Sequence, residues 1–115
     1  MDVSKIELHD EKIIGINMVS DKAFFDIIYV KVEYQDNVLI IQCKDCYSAT
    51  LDFHMYISGC DTIRNFIVEN VIIEQIISKY PEQKMSIPLK KICFNLNTTN
   101  SDIEIIAKDI MCYFE

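Results

Sequence analysis

Hydrophobic and polar residues alternate along several stretches of the chain, and this alternation predicts strands. Ile13 to Met18 is the first. Asp26 to Tyr34 follows, with Ile28, Val30, Val32 and Tyr34 on one side and Lys31 and Glu33 on the other. Asp36-Asn37 reads as a two-residue turn, after which Val38 to Cys43 runs back. That turn sets Tyr34 opposite Leu39, Val32 opposite Ile41 and Val30 opposite Cys43, all six on one face, so pattern and turn agree on the register. Tyr47 to Ser58 alternates most regularly. Tyr47, Ala49, Leu51, Phe53, Met55 and Ile57 point to a core; Ser48, Thr50, Asp52, His54, Tyr56 and Ser58 point to water. Between these strands Lys44-Asp45-Cys46 reads as a three-residue loop with a bulge. A two-residue turn would set Ile41 against Ser48 and mix the faces.

The second half of the chain is less regular. Residues 61–69 fit an irregular segment, a strand or the start of a helix. Asn70 is a fair N-cap, Ile72, Ile73, Ile76, Ile77 and Tyr80 recur at helical spacing, and Pro81 ends the run, so this segment predicts the main helix. Lys91 to Asn97 alternates again as a strand, with Ile92, Phe94 and Leu96 together, and Thr98 to Ser101 reads as a turn. The C-terminal stretch fits a helix through Ile103, Ile106, Ala107, Ile110, Met111 and Phe114. It also fits a strand through Ile103, Ile105 and Ala107, then Ile110, Cys112 and Phe114, with a phase change near Lys108-Asp109. The short polar connection before it favours the strand. The expected fold is α+β: a single domain over 1–115, an antiparallel meander of about five to six strands, and one main helix on its apolar face.

Composition narrows the function. Ile dominates an apolar fraction of 50%, as suits a sheet, because β-branched side chains pack well on a pleated face. The net charge of −7 has the wrong sign for gripping phosphates and would instead steer basic partners inward. No signal-peptide pattern opens the sequence, and Glu74 and Gln75 interrupt its greasiest run. Five cysteines without such a signal fit a reducing compartment, so the expected location is cytosolic, with no membrane contact.

Two constellations invite a chemical reading. Cys43-Lys44-Asp45-Cys46 has C-x-x-C spacing, but a structural zinc site wants a second close pair of ligands, which the sequence lacks. Asp52, His54 and Tyr56 alternate along one strand about 6.5–7 Å apart, beyond the hydrogen-bond reach that an acid–base relay needs. A polar docking face fits them better, since tyrosine is enriched at interface hot spots. The expectation is a non-enzymatic protein with no cofactor, no metal and no nucleic-acid contact.

The run Leu39-Ile40-Ile41-Gln42-Cys43-Lys44-Asp45-Cys46-Tyr47, with Phe53-His54-Met55 and Gly59, resembles small bacterial proteins found beside polymorphic toxins as immunity proteins. So does the stretch Phe94-Asn95-Leu96, Thr98 to Ser101 and Ile103-Glu104-Ile105. The resemblance spans about two-thirds of the chain through short motifs and brings no catalytic residues. It implies a sheet-plus-helix domain that neutralises a toxin, and the acidity of the chain suits a basic nuclease toxin domain. Binding would be by occlusion, with Glu33, Asp45, Asp52, His54 and Tyr56 as the candidate contacts. The alternative is a homo-oligomeric or small-ligand binding module.

Overall fold

The computed structural model describes residues 2–20, 26–52, 55–56, 59–60, 62–97 and 102–115, of which 55–56 and 59–60 are described by their backbone. A 3-10 turn at Val3–Lys5 precedes β1 (Ile13–Ser20), β2 (Asp26–Tyr34), β3 (Asn37–Leu51), β4 (Met55–Tyr56), β5 (Gly59–Cys60), β6 (Ile63–Lys79), β7 (Glu82–Leu96) and β8 (Asp102–Phe114). Apart from the small β4–β5 pair, the strands form one antiparallel sheet of six, in the order β1-β2-β3-β8-β7-β6.

The β2–β3 hairpin has the predicted faces and a different turn. Gln35 and Asp36 both take positive φ (50° and 65°), as a two-residue turn matched to strand twist requires. Val32 therefore meets Leu39, Val30 meets Ile41 and Ile28 meets Cys43, two residues away from the register an Asp36-Asn37 turn would give. A slip of two preserves the alternation, so the same side chains reach the core.

β3 does not turn at Lys44-Asp45-Cys46. It continues through a kink in which Asp45 adopts φ 57°. That residue uses up one position without advancing the alternation: Leu39, Ile41 and Cys43 are buried before it, and Cys46 packs on the core after it. β8 makes the same step at the same level. Ile103, Ile105 and Ala107 are buried, Lys108 and Asp109 are both exposed, and Ile110 and Cys112 are buried again. Lys44 lies opposite Asp109 and Cys46 opposite Ala107, so the two phase changes coincide. The C-terminal segment is thus the predicted strand with the predicted phase change.

Beyond the kink a register shift between Cys46 and Ser48 takes in Tyr47, and this second irregularity sets Ala49 and Leu51 opposite Ile105 and Ile103 on the core side. Yet Tyr47 and Leu51 are about half exposed, because β2 pairs with β3 only as far as Lys44 and, among the described residues, no strand borders the rest of β3 on that side.

The predicted main helix is absent. Residues 70–80 belong to β6 and its turn, and among the described residues there is no α-helix for the sheet to carry. The paired isoleucines at 72–73 and 76–77 satisfy helical spacing, but β-branched side chains lose χ1 freedom in a helix and suit a pleated strand. Val71, Ile72 and Ile73 instead face Leu89, Pro88 and Ile87 across β7. Pro81, read as a helix stop, lies with Tyr80 in the two-residue hairpin connection, where their peptide bond is cis. The fold is therefore almost wholly β.

The sheet curls until its two edges touch. Lys12, just before β1, bridges Thr62, just before β6; the Asp10 N–H donates to the Ile63 carbonyl at 2.7 Å and the Ile63 N–H to that of Glu11 at 2.9 Å. One core fills the interior, with Ile13, Val30, Leu39 and Ile41 from one half and Ile63, Ile92, Phe94 and Ile103 from the other. Phe66 packs on Phe94 with ring centroids 4.8 Å apart.

The kink at Asp45 is a testable feature, because a left-handed φ suits Asp or Gly and strains a β-branched side chain. Asp45→Val is expected to lower unfolding free energy by about 1–3 kcal/mol in urea titration, and Asp45→Gly to leave it nearly unchanged.

Candidate functional site

The carboxylates singled out in the sequence lie in different places along the molecule. Glu33 is exposed near the end of β2, opposite Val38. Asp45, half-buried, sits seven residues further along β3, and Asp52 just past that strand's end, so at strand rise each step spans about 23 Å. The Asp52 N–H donates to the Asp102 carbonyl at 3.3 Å, which ties the end of β3 to the start of β8. Tyr56 lies in the β4–β5 pair, with its backbone opposite Gly59. His54 and the predicted turn at Thr98–Ser101 lie outside the described residues. Glu33, Asp45 and Asp52 thus do not share one patch.

Glu33 instead joins two acids that the sequence did not single out. The Glu33 N–H donates to the Lys12 carbonyl at 2.9 Å, and this bond brings the segment before β1 alongside β2. A cleft of about 390 Å³ forms there, lined by Glu11, Glu33, Gln35, Asp36, Asn37 and Val38. Its walls hold three carboxylates and two amides. The turn keeps its shape partly through the Asn37 amide, which donates to the Gln35 carbonyl at 3.1 Å. Asp36 was legible as a turn residue; Glu11 carried no local signal, because only a long-range backbone bond places it.

On the outer face of the other half-sheet, Lys91 lies between Glu104 at 3.4 Å and Glu69 at 3.6 Å. The Glu104 charge, ahead of that of Glu69, raises the lysine's pKa and holds it protonated. This cation is committed to its own sheet face: Glu69 lies directly opposite it on β6, and Glu104 is on the neighbouring β8.

The cysteines of the C-x-x-C are free thiols, and the Cys46 thiol donates to the Cys43 carbonyl at 3.3 Å. Burial pushes the Cys43 thiol up from an ordinary 9.0 to about 12 and raises that of Cys46 as well. A nucleophilic or metal-binding cysteine needs the opposite shift. Among the described residues no group of three or more His, Cys, Asp or Glu side chains is placed to hold a metal ion. No helix among them is long and apolar enough to cross a membrane.

No protein-family model matches the chain, and no curated protein shows significant similarity to it.

The Cys43 shift sets the sign of a pH effect. The folded state holds the thiol neutral while the unfolded chain ionises it near 9, so the native state keeps this stability below pH 9. It loses it as pH rises from about 9 towards 12. The melting-temperature difference between the wild type and Cys43→Ala should therefore shrink progressively above pH 9 and be constant from pH 6 to 8.

Proposed function

We propose that the chain is a non-enzymatic, cytosolic protein-binding domain of the immunity type, which blocks a basic surface on a cognate toxin by covering it. The observation that carries this reading is the acidic cleft of Glu11, Glu33 and Asp36 at the β2–β3 turn, on a chain whose net charge is −7. Three carboxylates around one concavity suit a lysine or arginine side chain inserted from a partner. The arginine fork in particular can engage carboxylate oxygens with two parallel hydrogen bonds. The whole-molecule charge steers such a partner into contact, and the few pairs that become desolvated set how long it stays. The resemblance around Leu39–Tyr47 supplies the partner class. The cleft borders that same hairpin at the Asn37–Val38 end of β3.

Co-expression with the product of the adjacent gene, followed by affinity measurement across a salt series, tests the reading. Binding should weaken steeply as salt rises. Glu33→Gln should cost about 2–5 kcal/mol if its partner cation is buried in the complex, and much less if the contact stays at the rim. Asp36→Asn is the suitable change at the turn, because Asn tolerates the same positive φ and the fold is kept. Affinity indifferent to salt and to Glu11→Gln, Glu33→Gln and Asp36→Asn would overturn the assignment of this cleft.

A further inference from the structure

β7 pairs with β8 only from Lys90 to Asn95, whereas β6 and β7 stay paired out to Lys79 and Glu82. Beyond Lys90 the hairpin is a two-stranded ribbon, about nine residues long on β6, which at strand rise reaches about 30 Å. A ribbon of two strands is at best marginally stable in water by itself. This one is also apolar: Ile72 is 71% exposed, Ile76 54%, Ile77 57% and Tyr80 94%. Met85, opposite Gln75, is 46% exposed as well.

β6 is an edge strand of the sheet. The N-terminal segment covers the start of that edge, where Asp10 bonds Ile63 and the His9 Nδ1 meets the Arg64 carbonyl at 2.8 Å, and its 3-10 turn lies by Val68–Asn70. Among the described residues no strand lies beside the remainder. A long apolar edge of this kind is a template for another strand.

The sequence of that edge specifies which strand. From Val68 to Ile76 it reads Val-Glu-Asn-Val-Ile-Ile-Glu-Gln-Ile, and its apolar and polar positions are palindromic about Ile72. An antiparallel copy centred on Ile72 sets Ile72 against itself, Val71 against Ile73, Asn70 against Glu74, Glu69 against Gln75 and Val68 against Ile76. Every apolar side chain meets an apolar one, and both glutamates meet amide donors instead of each other. Moving the centre by one residue sets Ile72 against Glu74 and Val71 against Gln75. Partners in the centred register have the same parity, so each pair falls on one face, as a two-fold axis normal to the sheet demands.

We infer that the chain forms a two-fold symmetric dimer by antiparallel pairing of β6 with β6 of a second copy, centred on Ile72. The product is a four-stranded sheet in which Val71, Ile73, Ile87 and Leu89 of both copies, adjacent across β6 and β7, share one face. Such a sheet passes the three-strand threshold that the ribbon alone misses. Charge permits the approach at this place. Within Val68–Ile76 the only charged residues are Glu69 and Glu74, and the register sets each against an amide instead of a second carboxylate; beyond it, residues 77–90 hold Glu82 with Lys79, Lys84 and Lys90. The shift of register between Ile76 and Ser78 ends the straight stretch at the limit of the match.

Sedimentation equilibrium and cysteine cross-linking test the inference. The wild type should sediment at twice the 13.4 kDa chain mass. Ile72→Lys places two ammonium groups across the axis and should raise the dissociation constant about tenfold or more, with the circular dichroism of the folded monomer retained. Under oxidised glutathione Ile72→Cys should give a covalent dimer whose linking peptide joins residue 72 to residue 72. Ile76→Cys, opposite Val68 of the second copy, should give none at its own position. A wild type that stays monomeric at the highest attainable concentration would overturn the inference. So would a dimer untouched by Ile72→Lys, or equal cross-linking through positions 72 and 76. None of these results bears on the acidic cleft, whose partner is tested separately.

Discussion

β3 and β8 run side by side through the middle of the sheet, and their shared change of phase lets one pair of strands serve two half-sheets. Strand side chains alternate strictly, so a strand long enough to cross the whole domain would otherwise keep one face throughout. At Asp45 on β3, and at Lys108–Asp109 on β8, one position is spent without advancing the alternation, and the two steps lie at the same level. β3 alone takes in one further residue between Cys46 and Ser48, and the register shifts there so that Ala49 and Leu51 still lie opposite Ile105 and Ile103. Because both step together, Cys43 and Ile110 on one side of the kink and Ala107 and Ile105 on the other all reach the same core.

The same place decides where the sheet lets go of its last hairpin. β7 leaves β8 at the pair formed by Lys90 and Ala107, one residue before Lys108, where β8 changes phase. From there β6 and β7 continue with each other alone, and an apolar hollow of about 360 Å³ lined in part by Val71, Ile72, Leu89 and Lys108 marks the fork. The kink therefore has two effects. It closes the core, and it frees a ribbon whose side chains the core does not cover.

The surface consequently divides by chemistry. The acidic cleft is built where the segment before β1 is held against the β2–β3 turn, and its carboxylates face outward around a concavity. The ribbon is nearly neutral in charge and apolar, and offers an edge. A concavity of carboxylates selects cationic side chains, whereas an apolar edge selects another strand. The two readings concern separate surfaces, so a dimer joined through β6 leaves the cleft of each copy outside the contact.

Much of this was legible in the sequence wherever a local pattern had only one physical solution. Ile28, Val30 and Val32 against Leu39, Ile41 and Cys43 gave their faces because alternation and a short turn allow no other arrangement, and even a two-residue error in the turn left those faces intact. The phase change at Lys108-Asp109 was visible for the same reason. Residues 70–80 had two solutions: paired isoleucines satisfy helical spacing and also the two sides of a ribbon, and only the partner strand from Glu82 to Leu89 decides between them. Asp45 looked like a loop because residues near a phase change resemble a hairpin connection until the neighbouring strand is seen to step with it. Glu11 was silent altogether. A carboxylate becomes part of a site when backbone far away in sequence carries it there, and that depends on long-range hydrogen bonds that local composition does not encode.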